Sequence, residues 1–270
     1  MSSGLLGPRL IASPQRVVSL VPSLTEALFC LQAGHLLVGR TRYCVTPPEA
    51  TTAAVVGGTK DVDVGAVLAL KPQLVLAAKE ENPRGKVTRL AQEVPVFLAD
   101  PQGPEEVPAL WRQLGGCLGH VERAEVLAQE VEQLLALPPL PALGAVYFVW
   151  AQPWMAAGPA TYVSRLLAAA GFANAIAQQS RRYPQVGREQ VLGAAIRVHF
   201  YPDEPYPFSL PADAARWGLP VTQAKGGYLL AGRVLCLAVS GANFTWYPSR
   251  TAEGLRQARG VRQHLAAEGL

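Results

Sequence analysis

The clearest helical pattern in the chain lies near its midpoint, over residues 121–136. Its apolar side chains recur at spacings of three and four, which places them on one stripe of a helix with about 3.6 residues per turn. The stripe consists of Ala124, Leu127, Ala128, Val131, Leu134 and Leu135. Pro138 and Pro139 end the helix because proline has no amide donor and disfavours helix at the preceding residue. Taken alone, the pattern is typical both of a surface helix and of a strut between two lobes.

Before this helix, short apolar strands alternate with amphipathic helices. Strands are predicted at 16–21, 36–41, 55–56, 73–78 and 95–98, and helices at 24–31, 63–70, 86–92 and 104–118. Ser23 or Thr25 is expected to cap the first helix, and Gly34 to end it in a left-handed conformation. This alternation predicts an α/β lobe with a mostly parallel sheet.

After the central helix the alternation starts again. Strands are predicted at 145–150, 196–201 and 234–239, a short paired segment at 155–158, and helices at 162–170, 188–192 and 250–266, with a further segment at 174–177. Gly171 is expected to close the helix that precedes it. A second α/β lobe is therefore predicted, and a length of 270 residues suits two lobes of roughly 100–130 residues each.

Composition narrows the class of protein. Half of the residues are apolar and 16% are charged, which indicates a globular chain. The net charge of +4 comes without any run of basic residues and argues against nucleic-acid binding. No apolar run is long enough to span a bilayer, and the start of the chain lacks a signal-peptide pattern, so export is not evident and a cytoplasmic location stays open.

Sequence signals for catalysis and for metal binding are weak. The sequence has no GxSxG elbow, P-loop or GxGxxG motif. The four cysteines form no CxxC pair and the four histidines show no ligand spacing, which argues against a disulfide framework or a zinc site. Glu80 and Glu81 are adjacent and would point to opposite faces of a strand, an arrangement unsuited to acid–base chemistry. We therefore predict no catalytic residues, no metal ligands and no enzymatic activity.

An ordered set of short motifs extends across both predicted lobes. The motifs lie at 17–26, 43–50, 56–59, 68–75, 183–186, 188–192 and 246–250. Together they resemble class III periplasmic substrate-binding proteins, which serve ABC importers of vitamin B12, iron–siderophores and haem, and they are most similar to the cobalamin-binding branch. The resemblance covers residues 14–265. It implies two Rossmann-like α/β lobes joined by a single long interdomain helix, with the ligand cleft between the lobes.

The same resemblance implies the domain boundaries and the partners. Residues 14–118 would form the first lobe, 119–141 the connecting helix with a stiff proline-rich link, and 142–270 the second lobe. The protein would be a monomer that binds a small molecule, a corrinoid or an iron chelate, as cargo and not as an intrinsic cofactor. An ABC importer permease would be its partner if it is exported. A cytosolic ligand-binding or sensor module on the same scaffold, or a cofactor-processing enzyme, are the alternatives.

Candidate ligand-binding residues lie in loops or at strand ends, where a large planar ligand would find aromatic walls and polar anchors. They are Ser23, Tyr43, Thr59, Lys60, Trp150, Trp154, Tyr183 and Trp246. For Trp150, at the end of an apolar strand, packing in the core is the favoured role, and for Ser23 helix capping is. At two positions where cobalamin binders of this branch carry tryptophan, the sequence has Thr59 and Ala78.

Three glutamates are candidates for docking a partner. Glu80 and Glu81 follow a strand of the first lobe, and Glu204 follows a strand of the second. Exposed carboxylates on both lobes would suit a partner that presents arginines. The alternative is that they are ordinary solvated surface charges.

Overall fold

The computed structural model describes residues 3–176 and 181–267, which divide into two compact units. Unit 1 comprises the chain up to Pro101 together with Glu105–Gln133 and Trp246–Ser249. Unit 2 comprises Gln102–Pro104, Leu134–Thr245 and the chain from Arg250 onward.

Unit 1 is built on a six-stranded sheet. Its strands are β1 (Gly4–Leu6), β2 (Val17–Ser19), β3 (Leu37–Arg40), β4 (Ala54–Val55), β5 (Leu74–Ala78) and β6 (Val96–Ala99). They lie in the order β1-β6-β5-β2-β3-β4, with the edge strand β1 antiparallel and the other neighbours parallel. The predicted mostly parallel sheet is confirmed, and β1 is an addition that the sequence pattern did not indicate.

Five α-helices begin in unit 1, and three short 3-10 helices accompany them. The α-helices are α1 (Pro22–Cys30), α2 (Val64–Ala69), α3 (Arg84–Leu90), α4 (Val107–Leu118) and α5 (Val121–Leu135). The 3-10 helices are Gly34–Leu36, Pro48–Thr52 and Pro104–Glu106. Val67 and Leu90, from α2 and α3, join the buried cluster that Val18, Val75 and Val96 form on the sheet. Burial of these apolar side chains is the main force that holds the helices against the strands.

The first helix differs from its prediction at both ends. It begins at Pro22 with Val21 in the N-cap position, so neither Ser23 nor Thr25 caps it. Proline at the first helical position already has the required φ and lacks an amide hydrogen that would have no partner within the helix. At the other end Gln32, with φ of 60°, adopts the left-handed conformation that was expected of Gly34.

Helix α5 agrees with the predicted stripe and ends at Leu135, before Pro138. It packs on α4 at Gly115, whose missing side chain leaves room for Ala124. On the exposed side Arg112 of α4 donates hydrogen bonds to two carboxylates of α5, Glu125 at 2.7 Å and Glu132 at 2.6 Å. The helix itself is therefore confirmed, whereas its role as the connection between lobes stays a prediction.

Unit 2 is built on a larger, mixed sheet. Its strands are β7 (Leu143–Trp150), β8 (Met155–Ala156), β9 (Phe172–Asn174), β10 (Ile196–Pro202), β11 (Val221–Ala224), β12 (Gly227–Leu230) and β13 (Val234–Val239). The order is β11-β12-β13-β10-β7-β8, and β9 pairs with β7. Strands β7, β9, β10 and β13 are parallel, whereas β8 and the β11–β12 hairpin add antiparallel pairs. A second α/β unit is confirmed, with a hairpin that was not predicted.

The α-helices of unit 2 lie between these strands and at the end of the chain. They are α6 (Tyr162–Ala169), α7 (Arg188–Val191), α8 (Ala212–Ala215), α9 (Gly241–Thr245) and α10 (Thr251–Ala267). Gly171 closes α6 with φ of 91°, as predicted. Ala177, the last residue of the segment predicted to follow, lies outside the described residues. Among the helices described, none has the length and apolar character needed to cross a membrane.

The proline-rich segment 138–141 is fixed to unit 2 by two buried arginines of α10. Arg259 donates to the Pro138 carbonyl at 2.7 Å, and Arg262 donates to the Pro141 carbonyl at 3.0 Å. Leu140 packs against Gly171, where any side chain would collide with it. The stiffness expected of this segment therefore has two sources, the proline rings and these contacts.

Candidate ligand-binding edges

The parallel strands of unit 1 end at one edge of their sheet, which we call the unit 1 edge. In open α/β sheets this carboxyl edge is where ligands bind. The segments that follow β2, β3, β4 and β5 carry six of the predicted residues, Ser23 in the first turn of α1 and the others in loops. These are Ser23, Tyr43, Thr59, Lys60, Glu80 and Glu81. The structure thus places both the ligand-binding and the docking candidates of the first lobe along the same edge.

Asn82 holds three parts of the unit 1 edge together. Its side-chain amide donates to the carbonyls of Leu20 at 3.2 Å and Thr59 at 3.0 Å, and its oxygen accepts from the amide of Ala78 at 2.9 Å. The bonds to Leu20 and Ala78 are buried and satisfy groups that water does not reach, whereas the bond to Thr59 is partly buried. It was not a sequence candidate, and its only signal was an asparagine shortly after a strand and before a proline.

Tyr43 is the main aromatic group of the unit 1 edge, and 55% of its surface is exposed. The Arg42 guanidinium lies 5.7 Å from the centre of its ring and forms a two-point ion pair with Asp61. Gly58 lies so close to these side chains that a Cβ there would collide with them. The hydrogen bond from Arg42 lowers the pKa of Asp61, so this pair stays ionised at neutral pH.

Two further basic groups of the unit 1 edge, Lys60 and Lys79, also lie close to acids. Lys60 donates to the Glu80 carbonyl at 2.7 Å and lies 3.4 Å from the Glu81 carboxylate. Lys79 forms an ion pair with the buried Asp100. Glu80 and Glu81 lie in a turn and not on a strand, and Glu80 is half-buried whereas Glu81 is exposed. The charges of Arg42, Lys60 and Lys79 are therefore balanced locally.

Unit 2 has a corresponding unit 2 edge at the carboxyl ends of β7, β10 and β13. The Gly241 amide donates to the Asp203 carboxylate at 2.7 Å, which ties the ends of β10 and β13 together. Glu204, the docking candidate of the second lobe, packs directly against Gly241, where a side chain would displace it. This edge is thus a hydrogen-bonded surface and not a set of separate loops.

Trp150 contradicts the expectation that it packs in the core, since 43% of its surface is exposed. The last position of β7 carries it beyond the sheet, where it meets Tyr206 edge-to-face with ring centres 5.3 Å apart. Tyr206 was not a candidate, although it lies in a segment rich in proline and aromatic residues. The two rings form an open aromatic surface at the unit 2 edge.

Trp154 is held more firmly than its position between turn residues suggests. It stacks on Trp217 at 4.4 Å and on Phe208 at 5.8 Å, and Arg216 lies 5.3 Å from the centre of its ring. The residue is half-buried against the apolar core of unit 2. Its ring therefore packs mainly against other residues of unit 2.

Tyr183 is 39% exposed and lies on a segment that pairs with β8. The amides of Ala156 and Gly158 donate to the carbonyls of Pro184 and Arg182, at 3.1 and 2.7 Å. Trp246, the last candidate, is half-buried and belongs to the segment Trp246–Ser249 that groups with unit 1.

A small cavity lies inside unit 2 and is too small for a large ligand. That cavity, lined by Tyr147, Ser164, Phe172 and Asn174 among others, holds about one water molecule. The Tyr147 hydroxyl is buried, and burial raises the pKa of Tyr147 well above its usual value. Among the described residues, no group of three or more histidine, cysteine or acidic side chains is arranged to hold a metal ion.

Parallel α/β units that present aromatic and polar side chains at the carboxyl ends of their strands have the architecture of small-molecule binding proteins. The sequence profile of the family described as "Periplasmic binding protein" matches residues 17–204. The chain belongs to this family of substrate-binding proteins, which are not enzymes.

Two relatives of the chain are vitamin B12-binding proteins. The chain is 32% identical over 193 residues to the vitamin B12-binding protein of Pectobacterium atrosepticum, an alignment that covers 67% of this chain and 69% of that protein. It is 31% identical over 192 residues to the vitamin B12-binding protein of Photorhabdus laumondii, with 68% and 69% covered.

Solved structures share the fold. The periplasmic vitamin B12 binding protein of Vibrio cholerae superposes with a TM-score of 0.74 at 20% identity, covering 93% of this chain and 97% of that one. A periplasmic heme-binding protein from Roseiflexus sp. RS-1 gives 0.70 at 22% identity, covering 93% and 98%. Both ligand classes thus occur on this fold.

Proposed function

We propose that the protein is the substrate-binding component of an ABC importer and that its cargo is a corrinoid. The observation that carries the proposal is the set of exposed aromatic rings at the two carboxyl edges, Tyr43 on unit 1 and Trp150 and Tyr183 on unit 2. Exposed aromatic groups at such positions suit a broad, flat ligand with apolar faces. The vitamin B12-binding relatives support the same ligand class.

The pairing of three basic side chains at the unit 1 edge favours a corrinoid over haem or an anionic iron chelate. Haem carries two carboxylates and would need basic groups that are not already paired. On the unit 1 edge, Arg42, Lys60 and Lys79 each have an acidic partner. The corrin ring carries amide side chains, which hydrogen bonds to backbone and neutral groups can satisfy.

Delivery to a permease is the second part of the proposal. Glu81 and Glu204 would present carboxylates to arginines of the permease, with Glu80 contributing where its half-buried side chain allows. Thr59, Lys60, Ser23 and Trp246 remain candidate ligand contacts, and Trp154 would act by supporting its aromatic neighbours. No observation favours the sensor or enzyme alternatives.

Titration with a ligand panel tests the proposal. The purified chain is titrated calorimetrically with cyanocobalamin, dicyanocobinamide, haemin and a ferric siderophore. We expect one corrinoid per chain and at least tenfold weaker binding of haemin and of the siderophore. Preferred binding of haemin would contradict the corrinoid assignment, and no binding by any of the four would contradict the binding function.

Alanine variants locate the site. Trp150→Ala and Tyr43→Ala should each weaken corrinoid binding by roughly 10- to 100-fold, the usual effect of removing an aromatic contact. Ile11→Ala is the matched control, because Ile11 is apolar and 91% exposed but lies before β2, away from the unit 1 edge. Equal affinity in all three variants would place the ligand elsewhere.

A further inference from the structure

His35 and His120 face each other in unit 1, away from the candidate ligand edge. Their ring centres lie 6.4 Å apart, with an angle of 60° between the ring planes. His35 lies in the 3-10 helix that leads into the amino end of β3, and His120 lies in the turn between α4 and α5. The unit 1 edge is at the carboxyl end of β3, so the pair lies near the opposite, amino end of the parallel strands.

Neither imidazole has another partner among the described residues. No hydrogen bond, ion pair or cation–π contact in that part of the chain involves either ring. His35 is exposed and His120 is half-buried, so solvent reaches the pair.

The backbone around the pair is fixed, although the side chains are open. The His120 amide donates to the Gly115 carbonyl at 2.9 Å, and the Ala124 amide donates to the His120 carbonyl at 3.0 Å. Arg123, one turn into α5, donates to the Cys30 carbonyl at the end of α1 at 2.9 Å. The two histidines are therefore brought together by the packing of α1 and α5, and not by the chance position of a mobile loop.

We propose that His35 and His120 form a two-histidine site for a divalent transition-metal ion of the nickel, copper or zinc type. Imidazole nitrogen is a preferred ligand of these ions. Bonds of roughly 2.0–2.1 Å to one ion place two such nitrogens about 3.3 Å apart. To reach that distance from the observed separation, the rings would rotate about their side-chain bonds.

Water completes the coordination sphere in this proposal. Because no third histidine, cysteine or acidic side chain among the described residues is arranged to bind, the site is exchangeable and open to solvent. The ion would join the segment after α1 to the start of α5 and so stabilise unit 1. This site is separate from the proposed corrinoid function and does not depend on it.

Thermal unfolding of the full chain without a polyhistidine tag tests the site. With NiCl2 at about 100 times its Kd and pH 7.5, Tm should rise by roughly 5–10 °C. The rise should vanish at pH 5, where protonated imidazoles do not bind metal. Calorimetric titration with Ni²⁺ should give one ion per chain.

Variants identify the ligands. His35→Gln and His120→Gln should each abolish the Tm rise while keeping the Tm of the metal-free protein within a few degrees. His264→Gln, on α10 in unit 2, is the matched control and should retain the rise. An unchanged rise in the His35→Gln/His120→Gln double variant, or no nickel binding by the unaltered chain, would overturn the proposal. If a variant unfolds, nickel-induced change in the proton resonances of the two imidazoles of the unaltered chain decides the same question.

Discussion

His199 shows how burial of one residue makes stability depend on pH. It is fully buried on β10, its Nε2 lies 2.8 Å from the Val191 carbonyl, and its Nδ1 lies 3.4 Å from the Tyr201 hydroxyl. The carbonyl contact requires Nε2 to carry the hydrogen, which leaves Nδ1 as the acceptor. Burial lowers the pKa of His199 to about 4.

We predict that this histidine destabilises the protein in mild acid. In the unfolded chain it takes up a proton below about pH 6.5, whereas in the folded chain it stays neutral down to about pH 4. The stability of the form with neutral His199 is therefore fully present above pH 6.5. It is lost as the pH falls toward 4, which lowers the free energy of unfolding by roughly 2–3 kcal/mol. Between pH 7.5 and pH 4.5, the free energy of unfolding measured with urea should fall less in His199→Gln than in the unaltered chain. Identical losses would show that another group is responsible.

Asn82 is the residue on which the unit 1 edge depends. Asn82→Ala removes three hydrogen bonds and leaves buried groups of Leu20 and Ala78 without these partners, so the free energy of unfolding should fall by about 2–3 kcal/mol. Corrinoid affinity should fall as well, because the Thr59 loop loses its anchor. Asn243→Ala is the control, since the Asn243 side chain makes one hydrogen bond to Gln257 in unit 2 and should cost under about 1 kcal/mol. Equal effects of the two variants would contradict this role.

At the residue scale, sequence patterns located the candidate edge better than they described its contacts. Tyr43 and Lys60 follow strands, and the strand prediction was enough to bring them together. The exposure of Trp150 could not be predicted, because an aromatic residue at the end of an apolar strand fits the core and the surface equally well. The stacking of Trp154 depends on Phe208 and Trp217, which are distant in sequence, and no local pattern connects them.

Helices α4 and α5 offer a matched pair of glycines for a test at the scale of elements. Gly115→Ala would push a methyl group into Ala124 of α5, and overpacking of this kind costs roughly 1–3 kcal/mol. Gly116→Ala adds the same methyl group in open space and should gain about 0.5–1 kcal/mol from the higher helix propensity of alanine.

The two substitutions should therefore shift Tm in opposite directions when thermal unfolding is followed by circular dichroism. A rise in both variants would mean that α4 and α5 separate easily, contrary to their packing at Gly115.

Elements with a regular spacing of apolar residues were predictable from the sequence. Elements that form only through tertiary contacts were not. The apolar stripe of α5 predicted its extent to within one residue. The β11–β12 hairpin has no such pattern, because its strands are short and only partly buried. Strand β1 exists through its pairing with β6, which a local reading of the N-terminal segment cannot show.

Among the residues that the structure describes, each unit contains an apolar core of its own. Val18, Val75 and Val96 contribute to the core of unit 1, whereas Phe148 and Trp217 contribute to that of unit 2. Separate cores predict unfolding that is not two-state.

Differential scanning calorimetry should therefore give a calorimetric enthalpy larger than the van't Hoff enthalpy. Asn82→Ala should lower the midpoint of one component and leave the other in place. A single transition with equal enthalpies, shifted as a whole by the substitution, would show that the two units unfold together.

The position of segment 138–141, in the middle of the chain, depends on two arginines of the C-terminal helix α10. Arg259 and Arg262 belong to the last helix, so a truncation that removed them would leave the carbonyls of Pro138 and Pro141 without their donors. The same contacts restrict evolution of the segment, since an inserted or deleted residue would move one carbonyl away from its arginine. Changes of chain length should therefore accumulate elsewhere, as at the open β11–β12 turn, where a side chain at Gly226 would meet no neighbour within 4 Å.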